Sequence, residues 1–199
     1  MKKDFLLEIG CENIPSVYIE GALNQLESLF SSFLEEERIP RESILVTGTP
    51  NRLVVHIRGL AAKQDSVEER IIGPPASIAL DTDGSYTKAA EGFAKSQGVP
   101  ISRISRVTTE KGEYIAVIKK VKGRPAGALI QARIPAIIDG IRFPKVMRWD
   151  SSGQRFARPI RWMLVLHGDR LMKVELSGGL AEGRRTRLSP FFEDSIAVD

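Results

Sequence analysis

ILVTGTPNRLVVHI, residues 44–57, is the stretch that sets the fold class. Ile44-Leu45-Val46 and Leu53-Val54-Val55-His56-Ile57 are rich in β-branched residues, and Gly48-Thr49-Pro50-Asn51 between them has the residues of a turn, so the stretch reads as an antiparallel hairpin. Two later segments repeat the arrangement. Val107-Thr108-Thr109 and Tyr114-Ile115-Ala116-Val117-Ile118 flank Glu110-Lys111-Gly112-Glu113. Met163–Leu166 and Leu171–Leu176 flank His167-Gly168-Asp169-Arg170, whose Gly-Asp pair suits a tight turn. Phe5–Ile9 adds a short, weakly alternating strand followed by the turn-like Gly10-Cys11-Glu12-Asn13.

Between the strands, apolar residues recur at helical spacing. From about Pro15 the series Ile19, Ala22, Leu23, Leu26, Phe30, Phe33 and Leu34 runs up to Glu35-Glu36-Glu37 and predicts one buried stripe. Thr87 to Ala94 opens on a residue suited to N-capping, with Glu91 near enough to resemble a capping box and Gly98 suited to a left-handed end. Gly127–Gly140 carries Leu129, Ile134, Ile137 and Ile138 on a helical pattern that Pro135 is expected to kink or split. The class is therefore α+β, antiparallel β-hairpins with about three helices, rather than repeating βαβ units. Gly59–Gly73 is polar and mixed in charge, and Gly73-Pro74-Pro75 punctuates it, which places a subdomain boundary near 73–75.

Composition bounds the function. Of the 199 residues 42% are apolar and 27% charged, an ordinary globular balance that affords a core. Asp4 and Glu8 interrupt any N-terminal apolar run and no later run is long enough to span a bilayer, so the expected location is cytoplasmic, with no membrane partner. One cysteine, Cys11, and two distant histidines, His56 and His167, leave neither a disulfide framework nor a zinc site. His56 alternates within a strand and His167 sits beside a turn, so neither is read as a ligand. Asp81-Thr82-Asp83-Gly84 resembles the start of a calcium loop but lacks the later ligands. The net charge of +4 is uneven: residues 1–99 hold 10 Lys/Arg against 15 Asp/Glu, net −5, and residues 100–199 hold 19 against 10, net +9. A polyanion surface belongs on the second half.

In that half lies FPKVMRWDSSGQRFARPIRW, residues 143–162. Lys145, Arg148, Arg155, Arg158 and Arg161 are interleaved with Phe143, Trp149, Phe156 and Trp162 against one acid, Asp150. Cations neutralise phosphates while aromatic rings stack on bases, so the mixture suits RNA. The same pattern suits a strand pair with aromatics on a core and arginines in water. Lys145, Arg148, Trp149, Arg155, Arg158 and Arg161 are accordingly the candidate RNA- or partner-binding residues. The basic run Lys119, Lys120, Lys122 and Arg124 reads chiefly as a solvated strand end.

Catalytic signatures are missing: no phosphate-binding Gly-rich loop with Lys-Ser/Thr, dinucleotide fingerprint, Gly-x-Ser-x-Gly elbow or His-Glu-x-x-His helix occurs. Glu8 with Glu12, and Asp81 with Asp83, are carboxylate pairs without an evident acid/base partner. No catalytic residue, metal or bound cofactor is assigned to this chain.

Further blocks stand in a recognisable order: Leu6-Leu7-Glu8-Ile9-Gly10 with Ile14-Pro15, Gly48-Thr49-Pro50-Asn51-Arg52-Leu53, Gly59-Leu60-Ala61 with Gln64, and Thr87-Lys88-Ala89-Ala90 with Gly92-Phe93-Ala94. Lys111-Gly112-Glu113-Tyr114, Gly123-Arg124-Pro125-Ala126, Phe143-Pro144-Lys145 with Met147-Arg148-Trp149, and Arg155-Phe156 with Arg158-Pro159-Ile160-Arg161-Trp162 continue it. In this order and spacing the chain resembles the N-terminal part of the beta subunit of the bacterial heterotetrameric glycyl-tRNA synthetase, over roughly 1–187. The resemblance implies a module of an ATP-using glycine–tRNA ligase assembly. Glycine activation would belong to the separate alpha subunit of an α2β2 heterotetramer, and the beta subunit would serve glycine tRNA handling and assembly. Family members continue into an HD-like helical domain and an anticodon-binding domain, so the chain is expected to be an N-terminal fragment. Residues 1–187 are assigned as this module, and 188–199 as a tail or the start of a next segment. Where the family runs on through a Gly-His-Arg-Phe block, Leu188-Ser189-Pro190 follows Arg187 directly, so either this member lacks that block or a loop is missing before Leu188. The alternative to tRNA contact is a structural or interaction module using the same arginines; an editing-type hydrolase lacks an activated nucleophile.

Overall fold

A computed structural model describes residues 2–149, 153–174, 176, 184–187 and 195–198. In chain order it contains β1 (Lys3–Cys11), α1 (Ser16–Glu36), β2 (Ser43–Thr49), β3 (Arg52–Leu60), β4 (Val67–Pro75), α2 (Ala76–Ala79) and α3 (Lys88–Gln97). A 3-10 turn at Ile101–Arg103 is followed by β5 (Ile104–Thr109), β6 (Gly112–Val121), α4 (Ala126–Gly140), β7 (Ile160–His167), β8 (Arg170–Leu171), β9 (Arg185–Arg187) and β10 (Ser195–Ala197). Among the described residues all strand pairs are antiparallel, and α1, α3 and α4 are the three helices of ten residues or more, as an α+β reading expects.

The chain divides into two compact units, 1–65 with 124–199 and Ser66–Gly123. The sequence pattern put the punctuation at Gly73-Pro74-Pro75, but these residues end β4 inside the second unit. β4 leaves no trace in the sequence pattern because it is an edge strand exposed at Glu68, Glu69 and Arg70, with no apolar alternation to reveal it.

The first unit holds a five-stranded sheet in the order β2-β3-β1-β7-β8. Thr49 pairs with Arg52, so Pro50-Asn51 is the two-residue tip of the first hairpin. β1 does not stop at a turn after Ile9. It runs on through Gly10 and Cys11, because β3 and β7 pair with it on both sides and take up its backbone groups. One face of β1 carries Phe5, Leu7, Ile9 and Cys11, all with no exposed surface. They share a core with Leu26, Phe30 and Leu34 of α1 and Ile130, Ile134 and Ile138 of α4. Phe5 and Phe30 stack tilted at 6.0 Å. Fully burying each such side chain contributes about 1.5–3 kcal/mol.

α1 ends without glycine. Arg38 adopts φ 51°, in the left-handed region. The Ile39 N–H donates to the Leu34 carbonyl (2.8 Å) and the Arg38 N–H to the Glu35 carbonyl (3.0 Å), a Schellman closure with Ile39 buried beside Leu34. α4 is unbroken through Pro135. A mid-helix proline costs on the order of 3 kcal/mol, and burial of Ile130, Ile134, Ile137 and Ile138 around it holds the helix together. The third hairpin closes at Gly168-Asp169, but its second strand is only Arg170–Leu171; beyond it the Met172 N–H still donates to the Val165 carbonyl (2.9 Å).

The second unit is a three-stranded sheet, β4-β6-β5, with α2 and α3. Its core is Ala79, Ala90, Ala94, Ile104 and Ile115, flanked by Phe93, Val99 and Ile101. Thr87 stands at the α3 N-cap position, yet its hydroxyl donates to the Ile78 carbonyl (2.7 Å) instead of capping the helix, so the expected capping box does not form. Gly98 closes the helix at φ 66°. Lys119 and Lys120 sit opposite Glu69 and Glu68 of β4, a cross-strand charge match that lies far away in sequence.

Candidate functional site

The stretch 143–162 follows α4 and runs into the first three residues of β7. Its aromatic residues anchor it. Phe156 is fully buried and meets Phe143 edge-on at 4.9 Å, and Phe143 in turn lies 6.5 Å from Tyr18. Trp149 is half-buried against the same core. A single antiparallel bridge, with Met147 N–H to Phe156 carbonyl (2.8 Å) and its reciprocal (3.4 Å), ties the two limbs. Asp150, Ser151 and Ser152 lie outside the described residues.

The cations do not form one set. Lys145, Arg148 and Arg155 are exposed and take no ion pair among the described residues. Arg155 and Arg142 line a 380 Å³ cavity with Phe143, Val146, Gln154 and Asp139. Arg158 is half-buried, donating to the Ala157 carbonyl (3.1 Å) and reaching Met147 Sδ (3.5 Å). Arg161 is taken by Glu12, its Nε donating to Glu12 Oε1 at 2.8 Å.

Trp162 shows why the stretch cannot be read as surface alone. Its indole, 2% exposed, lies beside Gly10 on β1, and a Cβ on Gly10 would come within 1.9 Å of the ring. Gly10 therefore makes room for the tryptophan. The indole N–H donates to Glu8 Oε1 at 2.8 Å. The same oxygen accepts from the Thr186 hydroxyl (2.6 Å), and the Arg52 guanidinium stands 3.6 Å away and 5.8 Å from the Trp162 ring centroid. Arg52 also donates to the Arg187 carbonyl (2.7 Å). Glu8, on the sheet face opposite the helices, thus ties β1, β3, β7 and β9 through one buried carboxylate.

Glu8 and Glu12, which the sequence allowed as a carboxylate pair, are separate anchors with different partners. Sequence reasoning missed Arg52 and Thr186, which sit 44 and 178 positions from Glu8; only the isolated Glu8 between Leu7 and Ile9 of an apolar strand signalled a buried charge in need of partners. Arg142, Gln154 and Asp139 were missed too. Gln154, 6% exposed, donates to Asp139 Oδ1 and so fixes the limb that carries Arg155.

Titratable groups nearby follow their surroundings. Burial first, then the Glu12 charge, pushes the Cys11 thiol up to about 12. The Asp4 carboxyl is held below its ordinary value by the Gly59 N–H first and then by His56, which approaches it at 3.2 Å. Among the described residues no three His, Cys, Asp or Glu side chains gather as a metal would need, and no helix is long and apolar enough to cross a membrane.

Comparison with known proteins adds identity to this geometry. The family model described as glycyl-tRNA synthetase beta subunit matches residues 5–199. The chain is 40% identical over 198 residues to the glycine–tRNA ligase beta subunit of Halalkalibacterium halodurans, covering 100% of this chain and 28% of that protein. It is 41% identical over 189 residues to the same subunit of Citrifermentans bemidjiense, covering 93% and 28%. With that of Moorella thermoacetica it shares 40% over 178 residues, 89% and 26% of the two chains. The chain thus spans little more than a quarter of the length of these curated relatives.

Proposed function

The chain belongs to the glycyl-tRNA synthetase beta subunit family, and from that premise we propose that it is the N-terminal module of the beta subunit of a cytoplasmic α2β2 glycine–tRNA ligase. In that assembly the alpha subunit activates glycine with ATP. The module holds no cofactor and serves tRNA handling and subunit assembly.

The observation that carries the tRNA part is the division of labour among the cations. Arg52, Arg158 and Arg161 have partners within the chain, whereas Lys145, Arg148 and Arg155 project from an aromatic-anchored loop with none among the described residues. Cations held out on a fixed frame suit phosphates, which need charge more than shape. Trp149, half-buried against the core, braces the loop.

The test uses the whole ligase and glycine tRNA. Alanine at Arg148 or Arg155 is expected to weaken binding and to lower the slope of log K against log salt by roughly 0.7–0.9 for each phosphate that is no longer neutralised. Arg161 serves as control: Arg161→Ala is expected to lower stability and leave the slope unchanged. An unchanged slope in the Arg148 and Arg155 variants removes them from RNA contact.

A structural reading is favoured by one further observation, the exposed Val146 and Met147, 46% and 43% accessible, beside the same cations. Under it, Val146→Ser with Met147→Ser abolishes capture of the alpha subunit and leaves the salt slope intact.

A further inference from the structure

A second cavity in the first unit, of 540 Å³, shares no residue with the Glu8 network or the loop 143–158. It is lined by Pro125, Gly127, Gln131, His167, Arg170 and Lys173, with Leu171 and Met172 as an apolar side. Its charge is of one sign: no Asp or Glu among the described residues lines it, and Arg170 and Lys173 are exposed cations without an ion pair among them. We propose that this cavity binds a phosphate group, free or carried by a small phosphomonoester.

Three features beyond the two cations support this. His167 Nε2 is sealed from solvent with no hydrogen-bond partner among the described residues. The other ring nitrogen, Nδ1, packs against the first turn of α4 at Gly127, where a Cβ would stand 2.9 Å from it, so glycine makes room for the ring on the wall of the cavity. Burial first, then the charges of Lys3 and Arg170, hold the imidazole below its ordinary pKa, and an anion beside it would offset that repulsion. The third feature is the start of α4, which has no side-chain cap. The Ala126 N–H goes to the Ala62 carbonyl (2.9 Å) and the Leu129 N–H to the Pro125 carbonyl (3.3 Å), while those of Gly127 and Ala128 have no backbone acceptor among the described residues. Uncapped amides at the positive end of a helix dipole add donors to the cationic side chains. The volume exceeds that of a bare phosphate and lies in the range of small-ligand sites, and Leu171 with Met172 offers an apolar wall to an organic body.

Phosphate binding here does not depend on family membership. With only two histidines in the chain, ring NMR resonances give a direct readout, His56 serving as internal control. The full chain is titrated with inorganic phosphate, with adenosine 5′-monophosphate and with sodium chloride at matched ionic strength. A saturable shift of the His167 resonances, without one at His56, is expected for the phosphate-bearing probes. Tighter binding of the nucleotide identifies a monoester site, and equal binding identifies the free ion. Arg170→Ala with Lys173→Ala, both exposed and so compatible with folding, is expected to weaken binding roughly tenfold. A shift that merely follows ionic strength, equal in chloride, or unaltered binding in the double variant, overturns the proposal.

Discussion

Replacing Glu8 with alanine removes the carboxylate on which four strands of the first unit converge. Two hydrogen bonds to a charged acceptor disappear, from Trp162 Nε1 (2.8 Å) and Thr186 Oγ1 (2.6 Å). Trp162 is 2% exposed, so its N–H is left buried without an acceptor, at a cost of about 1–3 kcal/mol. The Arg52 side chain, 27% exposed, re-solvates, and its 3.6 Å pairing is discounted accordingly. The sum expected for Glu8→Ala is about 3–4 kcal/mol, a large part of the stability of a typical domain. Glu8→Gln keeps an acceptor for the indole and is expected to cost about half as much. Urea denaturation at pH 7, followed by tryptophan fluorescence, measures both. A cycle with Trp162→Phe isolates the indole bond, with an expected coupling of about 1–2 kcal/mol. A cost below about 1 kcal/mol for Glu8→Ala, or a coupling below about 0.5, would refute the view that this carboxylate holds the sheet together.

Three further outcomes follow from local geometry. Arg38 closes α1 in the left-handed region at φ 51°, so Arg38→Gly is expected to raise stability by about 0.5–1 kcal/mol in the same denaturation assay. The Cys11 thiol, pushed up to about 12 by burial, is expected to resist a thiol reagent at pH 8 until denaturant opens the sheet. Because its folded pKa lies above the ordinary 9.0, the protonated thiol's contribution is complete below pH 9 and falls away as pH rises towards 12; Cys11→Ala should flatten that alkaline limb.

Much of the fold is legible because its causes are local. The Gly-Thr-Pro-Asn turn at 48–51 between two β-branched runs is enough to make a hairpin, and the spacing of Ala22, Leu26, Phe30 and Phe33 is enough to make a helix with one buried stripe. The aromatics of 143–162 point inward for the same reason: rings as large as Phe156 and Trp162 bury whenever a core adjoins them. The readings that fail are those in which distant groups override local preference. Pro135 stays inside α4 because apolar burial around it outweighs the missing hydrogen bond, and β4 has no internal pattern because its pairing with β6 alone makes it a strand.

By itself, then, the sequence determined the hairpins and the long helices, the antiparallel class, the uneven charge and the family, all of which reside in short-range spacing or in the order of motifs. Tertiary structure decided which arginines are engaged. Arg161 meets Glu12 across 149 positions and Trp162 meets Glu8 across 154, contacts that exist only because β1 lies between β3 and β7. A cation's partner is set by proximity in space, since hydrogen-bonding energies fall away within a few ångströms and Coulombic ones, in salt, over about 10 Å. Residues of one chemical type, interleaved in one stretch, are therefore sorted into scaffold and surface only when the chain folds.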